Sequence, residues 1–172
     1  MSKPETINDL YVDEMQDLWS ANDQMKSIVQ KMADAATCEK LSSKLKASAE
    51  GIEKNNEVLK ELIGEAGGDV EKEHCKGMEG LVTEAKKHAL ESGAEGAILD
   101  AAIIAQYNRM AHYGIAGYGT AKAYAEALER KDAAHKLDDA LEKVYQHDDM
   151  LSDLSERCCL ERAEEVKREA AA

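Results

Sequence analysis

The sequence predicts an all-α protein in which four long helices form a bundle and a shorter crossover helix joins the second to the third. Apolar residues recur at alternating spacings of three and four, which is the period of an α-helix. The 172 residues include one proline and no phenylalanine, whereas sheets favour aromatic and β-branched residues and need many turns. We therefore expect one domain over 1–172, with a core over about 5–157 and a C-terminal tail over 158–172 as a frayed helix.

The first two helices are predicted from their caps and their apolar stripes. The first begins with the capping pair Thr6 and Asp9 and extends to residue 36. The second extends from residue 38 to the turn at Gly67 and Gly68, with Thr37 as its predicted cap. Because the connection between them is short, the two helices are expected to be antiparallel neighbours.

The remaining helices are predicted over about 74–91, 95–129 and 132–156. The shortest of them is the crossover, so the arrangement is that of a ferritin-like four-helix bundle. The segment over 95–129 is apolar almost all round, which is typical of a helix that is buried on several sides. One of its faces combines small residues with a histidine: Ala101, Ala105, His112, Ala116, Gly119 and Ala123. Small residues on one face favour close packing against another helix.

The charge balance excludes several classes of function. The chain carries 35 Asp and Glu against 22 Lys and Arg, a formal net charge of −13. No basic stripe offsets this charge, so we expect no nucleic-acid partner. The longest stretch without a charged residue, 110–121, is too short to cross a bilayer, and the first ten residues lack an apolar signal region. We therefore expect no membrane partner and a cytoplasmic location.

Polar side chains interrupt the apolar stripes at similar depth in three of the predicted helices. They are Asn22, Asn108, His112, His147 and Asp148. Such a group can be a buried hydrogen-bonded layer that fixes helix register, a metal site or a proton-transfer site. On the second helix, Glu53 lies at the edge of the apolar stripe and Glu50 lies on the solvent side.

The chain contains four cysteines: Cys38, Cys75, Cys158 and Cys159. They form no CxxC pair and have no histidine spacing that would build a zinc site. We interpret them as reduced thiols that pack as small hydrophobes. The adjacent pair at 158–159 leaves a thiol redox sensor open as an alternative.

Several segments resemble those of a known family. Residues 100–120, DAAIIAQYNRMAHYGIAGYGT, are similar to the family pattern DAALIAAAQxVEHYEIAxYGT, and residues 75–82, CKGMEGLV, are similar to KCxAMEGLI. The segments EKLS at 39–42 and SANDQ at 20–24 resemble EKLS and SAEKQ. With this spacing, residues 5–157 resemble the YciF/YciE-type ferritin-like stress proteins of bacteria.

The resemblance implies a ferritin-like fold, usually dimeric, a role in stress responses and a di-metal carboxylate site similar to that of rubrerythrin. Two carboxylates of the second helix fall on Glu50 and Glu53 and are retained. Four other carboxylate positions carry different residue types here: Asn22, Ala111, Gly114 and Val144. Because Ala, Gly and Val offer no side-chain ligand, a di-metal centre that needs about four Glu and two His is expected to be dismantled.

The leading hypothesis is therefore a non-enzymatic, stress-associated or accessory protein that binds no cofactor. It would act through self-association, as a homodimer, or through other protein partners. One alternative is a metal-binding protein with one divalent ion, Fe, Mn or Zn, held at a reduced or relocated site by the residual candidates Glu50, Glu53, His112, His147 and Asp148. The other alternative is the thiol redox sensor at the adjacent cysteines.

Overall fold

The computed structural model describes residues 4–70 and 74–155, together with Glu164 and Arg168. In this part of the chain the helices are α1 (Ile7–Ala35), α2 (Glu39–Glu65), α3 (Lys76–Ala85), α4 (Gly96–Ala127) and α5 (Lys131–Leu154), and a π-helical turn at Lys86–Leu90 continues α3. The described residues contain no strand, so the predicted all-α class is confirmed. The predicted tail at 158–172 lies outside the described residues, apart from Glu164 and Arg168.

The start of α1 follows the prediction, and the start of α2 does not. Thr6 and Asp9 form the predicted capping box, in which each side chain accepts from the other residue's backbone N–H. The predicted cap Thr37 is wrong, because its hydroxyl donates to Asp100 on α4 at 2.7 Å. The Asp100 carboxylate also accepts from the backbone N–H groups of Thr37 and Cys38, at 2.7 and 3.0 Å. The start of α2 is thus capped from α4.

Two helical hairpins make the bundle. α1 packs along α2 in the first hairpin, and α4 packs along α5 in the second. The two hairpins are joined by the packing of α1 against α4, whereas α2 and α5 pack more loosely. α3 and its π-helical turn lie between the hairpins in sequence and pack on α1 and α4. The predicted crossover between the second and third long helices is therefore confirmed. None of the described helices combines the length and the apolar character that a bilayer crossing requires.

The core consists of two hydrophobic clusters, one toward each end of the bundle. The first includes Met25, Leu45, Met78, Ile103 and Leu151. The second includes Tyr11, Leu18, Leu62, Tyr118 and Leu137. Val144 packs against both clusters. Polar residues lie between them, at the middle of the long helices, and this is where the candidate site is found.

The outer face of α4, defined by Ile98, Ala105, His112, Ala116 and Ala123, corrects a prediction. This apolar helix was expected to be buried on several sides, yet these residues are exposed within the single chain, and Ile98 is 59% exposed. The physical reason is that a helix of a four-helix bundle always turns one face outward, whatever its composition. Between residues 101 and 121, Arg109 is the only charged residue. The outer face of α4 is thus made mostly of apolar and small residues, and none of its five defining residues is acidic.

Candidate functional site

A cavity of about 50 Å³ lies at the centre of the bundle, between the two hydrophobic clusters. All four long helices contribute to its wall. Its lining residues are Asn22, Met25, Ser48, Gly51, Ile52, Asn55, Tyr107, Met110, Ala111, Gly114, Tyr118, Lys143, Val144 and His147. We call this space the central cavity. The four positions at which the resemblance implies carboxylates, Asn22, Ala111, Gly114 and Val144, all lie on its wall.

Asn22, Asn55 and Tyr118 form the first polar group of the central cavity. The Asn22 amide Nδ2 donates to the Tyr118 hydroxyl at 2.7 Å, and both side chains are buried. Burial raises the pKa of Tyr118 well above its usual range, while hydrogen bonds from Asn22 and Asn55 act in the opposite direction. The inward position predicted for Asn22 is confirmed, and its partner is a tyrosine of α4.

Ser48 and Tyr107 form the second polar group. Their hydroxyls share a hydrogen bond of 2.7 Å between α2 and α4, and both residues are buried. Burial raises the pKa of Tyr107 to about 12, which the bond to Ser48 partly opposes. At neutral pH both polar groups are therefore uncharged and hydrogen-bonded across helices.

The open side of the central cavity lies between α2 and α5. Lys143 is exposed there, His147 is half-buried, and Gly51 faces them from α2. The His147 Nδ1 lies 2.8 Å from the Lys143 backbone oxygen, which fixes the ring along α5. A Cβ on Gly51 would lie 4.0 Å from the His147 Cε1, so the missing side chain keeps this side open.

The other predicted polar residues lie elsewhere, in what we call the outer polar cluster: Asn108, His112, Asp148 and Ser152. Asn108 Nδ2 donates to Ser152 Oγ at 3.0 Å, and His112 Nδ1 lies 2.9 Å from the Asn108 backbone oxygen and 3.4 Å from Asp148 Oδ1. The side chain of His112 is 64% exposed. Desolvation raises the pKa of Asp148, and His112 acts against this shift.

The prediction of one buried polar layer is therefore corrected. Asn22 and His147 lie on the central cavity, whereas Asn108, His112 and Asp148 lie between α4 and α5, with His112 in solvent. The cause is the apolar character of α4 on all sides, which leaves its inward direction undetermined by periodicity.

The five predicted metal ligands do not come together. Glu50 is exposed, Glu53 is exposed and forms an ion pair with Lys26, and His147 lies on the central cavity. Only His112 and Asp148 of the five are in contact. Within the described ranges, no group of three or more His, Cys, Asp or Glu side chains is placed to hold a metal ion. The lining of the central cavity does not fit a di-metal centre, because it contains no carboxylate.

Comparison with known proteins identifies the family. The profile of a family described as a domain of unknown function, DUF892, matches residues 6–164. This chain belongs to the DUF892 family. It is 34% identical over 151 residues to protein YciF of Escherichia coli, across 87% of this chain and 90% of that protein. The YciF/YciE-type resemblance is therefore confirmed.

Two solved structures of similar proteins share the fold of this DUF892 member. The Escherichia coli stress protein YciF matches with a TM-score of 0.84 and 33% identity, covering 88% of this chain and 96% of that one. YcfI from Rhodopseudomonas palustris matches with a TM-score of 0.82 and 31% identity, covering 88% of this chain and 97% of that one. Both likenesses extend over nearly the whole of the matched chains.

The cysteine of the family segment has a structural role in this DUF892 protein. Cys75 precedes α3, and its Sγ accepts from the Met78 backbone N–H at 3.3 Å. The thiol donates to the Tyr113 hydroxyl at 3.0 Å, which in turn donates to Asp17 at 2.6 Å. Burial raises the pKa of the Cys75 thiol. The predicted sensor pair, Cys158 and Cys159, lies outside the described residues.

Sequence reasoning did not assign a site role to Ser48, Asn55, Tyr107 or Tyr118. The signal that singled out Asn22 was also present on α2, because Ser48 and Asn55 are polar residues on the apolar stripe of that helix. The two tyrosines gave no such signal, since an aromatic ring on an apolar helix is typical of ordinary packing.

Proposed function

We propose that this DUF892 member is a non-enzymatic, stress-associated accessory protein that acts through self-association. The observation that carries the proposal is the chemistry of the central cavity, where Asn22, Ala111, Gly114 and Val144 stand at the carboxylate positions of the family. Redox chemistry at a di-metal centre requires carboxylates that neutralise and coordinate the ions. The amide and hydroxyl groups of the central cavity carry no charge that would neutralise such ions.

Self-association is supported by the outer face of α4. An exposed apolar face is typical of a protein–protein contact, and small residues such as Ala105 and Ala116 let two helices approach closely. Two copies that each carry −13 repel one another. A contact through this face brings no acidic side chains of residues 101–121 together. We propose a two-fold dimer in which α4 packs against α4 of a second copy.

Elemental analysis by mass spectrometry tests the cavity part of the proposal. Protein purified without chelator is expected to contain iron, manganese and zinc only at trace level. Close to two metal ions per chain would refute the proposal. Close to one ion per chain would favour the alternative site, and the His112→Ala and Asp148→Asn variants would then show whether the two contacting candidates hold it.

The oligomeric mass, measured by light scattering, tests the association part. We expect twice the chain mass of 18.8 kDa for the wild type. Ala116→Glu adds an acidic side chain to the outer face of α4 and is expected to give monomers. Ala47→Glu makes the same change on the exposed face of α2 and should leave the dimer intact. A monomeric wild type, or a dimeric Ala116→Glu protein, would refute the α4 contact.

A further inference from the structure

The central cavity has the properties of a binding site for a small neutral molecule. Its volume of about 50 Å³ exceeds the share of one water molecule in the liquid and is far below the cavities that hold benzene. We propose that it binds an uncharged, hydroxyl-bearing molecule of about two to four non-hydrogen atoms, of the size of a short-chain alcohol. This inference goes beyond the proposed function and requires only that no metal ion fills the space.

The wall of the cavity is divided in a way that fits such a molecule. The apolar part of the wall is formed by Met25, Ile52 and Met110, which are at most 9% exposed. The polar part of the wall includes the Asn22 amide and the Tyr118 hydroxyl. A ligand with a short hydrocarbon part and one hydroxyl group satisfies both parts at once.

The amide of Asn22 supplies the specific contact. Its Nδ2 is used on the Tyr118 hydroxyl, and within the described part of the chain its Oδ1 accepts no hydrogen bond. An amide oxygen that no protein donor uses can accept a hydrogen bond from a ligand, so a ligand hydroxyl that donates to Asn22 Oδ1 is favoured over a molecule without a donor.

The charges around the cavity select for a neutral ligand. The lining contains no carboxylate, so a cation has no counter-charge there, and the exposed Lys143 repels it at the open side. An anion that reached the interior would leave water for neutral and apolar groups, which is equally unfavourable. The loosely packed side between α2 and α5, at Gly51 and His147, is the route of entry.

Methionine methyl NMR tests the proposal on the full-length protein. Met25 and Met110 line the cavity, whereas Met15 is buried in the other cluster and serves as the internal control. Titration with ethanol is expected to shift the Met25 and Met110 methyl signals along a saturable curve and to leave Met15 unchanged. Three non-hydrogen atoms limit the affinity to a Kd of about 1 mM or weaker. Linear shifts of all methionines alike would refute the site.

Two glycine variants on α4 make the location testable. A Cβ at Gly114 would lie 4.0 Å from Val144 Cγ1, so Gly114→Ala folds without a clash and fills part of the cavity. Beyond its chain neighbours and its own helix backbone, no atom of the described residues lies within 4 Å of a Cβ at Gly119, which makes Gly119→Ala the matched control. We expect Gly114→Ala to abolish saturation and Gly119→Ala to bind ethanol as the wild type does. Equal binding by both variants would overturn the assignment.

A second probe tests the requirement for a hydroxyl group. Acetonitrile has the same number of non-hydrogen atoms as ethanol but no hydrogen-bond donor. We expect it to bind about tenfold more weakly than ethanol, which corresponds to one hydrogen bond. Equal affinities would refute the role of Asn22. Elemental analysis of the same sample separates this failure from a failure of the proposed function, because a bound metal ion would itself be detected.

Discussion

The central cavity and the outer polar cluster are two polar regions of one bundle, and they follow different rules. In the central cavity, Asn22, Asn55 and Tyr118 are buried, uncharged at neutral pH and in contact across helices. In the outer cluster, His112 lies in solvent beside the carboxylate of Asp148, whose buried Oδ1 accepts no hydrogen bond from the described residues. The central cavity thus pairs neutral groups, whereas the outer cluster holds an ionisable pair whose imidazole lies in solvent.

The free energies of burial explain this division. A neutral hydrogen bond inside a protein contributes about 1 kcal/mol net, whereas an unpaired buried charge costs several kcal/mol. A ferritin-like centre tolerates buried carboxylates because metal ions neutralise them. In a bundle centre that holds no metal ion, amide, small and apolar residues are therefore more favourable than carboxylates. Predictions that return charge to one region or remove it from the other test this comparison directly.

The largest effect is expected from Asn22→Asp, which puts a carboxylate of the same shape into the central cavity. Burial shifts the pKa of a carboxyl upward by about 3–5, at 1.36 kcal/mol per unit. The neutral acid is favoured in the folded state, so stability is lost as pH rises above the unfolded pKa of about 4. We expect a loss of about 3–4 kcal/mol at pH 7 and little loss at pH 4, measured by urea unfolding.

A matched variant isolates the effect of position from that of charge. Gln30→Glu also adds one negative charge, but on the exposed face of α1. We expect it to change the free energy of unfolding by less than about 0.5 kcal/mol at either pH. If Asn22→Asp were equally harmless at pH 7, the centre would be hydrated or would hold a cation, and the comparison would fail.

The fold was predictable because most of the helices carry their apolar residues on one face, which identifies the side that is buried. The predicted first helix, 7–36, differs from α1 by one residue, and its capping box was correct. Asn22 was found because one polar residue on a clean apolar stripe is conspicuous. The same method failed on α4, where apolar residues surround the helix and the periodicity gives no direction. His112 was therefore assigned to the core, although its side chain is mostly in solvent.

Contacts between distant parts of the chain could not be predicted from the sequence. The capping of α2 by Asp100 joins this residue to Thr37 and Cys38, which precede it by 63 and 62 positions. Nothing in the local sequence around Thr37 or Cys38 indicates this contact. The central cavity likewise depends on how Gly51 of α2 faces Ala111 and Gly114 of α4. A pattern within one helix predicts the side that is buried, and the space left between helices follows only from their packing.

The next effect in size concerns Tyr107→Phe, which leaves the Ser48 hydroxyl without its partner. We expect a loss of about 1 kcal/mol at pH 9 relative to the wild type. The pKa of Tyr107 is raised to about 12 in the folded state, so the wild type loses stability as pH rises above the unfolded value of about 10. At pH 11 this loss reaches about 1 kcal/mol, and the difference between the two proteins should vanish.

Urea unfolding at both pH values measures this difference, with Tyr145→Phe as the matched control. Tyr145 is 48% exposed on α5, so removal of its hydroxyl should leave the wild-type pH dependence unchanged. If Tyr107→Phe and wild type lost stability in parallel between pH 9 and 11, the Tyr107 hydroxyl would not be desolvated, contrary to its position in the central cavity.

The smallest effect is expected in the outer polar cluster, from His112→Ala. In the Ala116→Glu background, which is expected to be monomeric, the imidazole is 64% exposed and its contact with Asp148 is 3.4 Å, so we expect a change below about 0.5 kcal/mol at pH 7. Asp148→Asn should be neutral or slightly stabilising, since desolvation raises the pKa of this carboxyl and therefore disfavours its charged form at neutral pH. Thermal unfolding of both variants checks these signs. A loss above about 1 kcal/mol for His112→Ala would mean that the exposed pair stabilises the bundle as strongly as the buried neutral ones, and the division between the two regions would then not be set by solvent access.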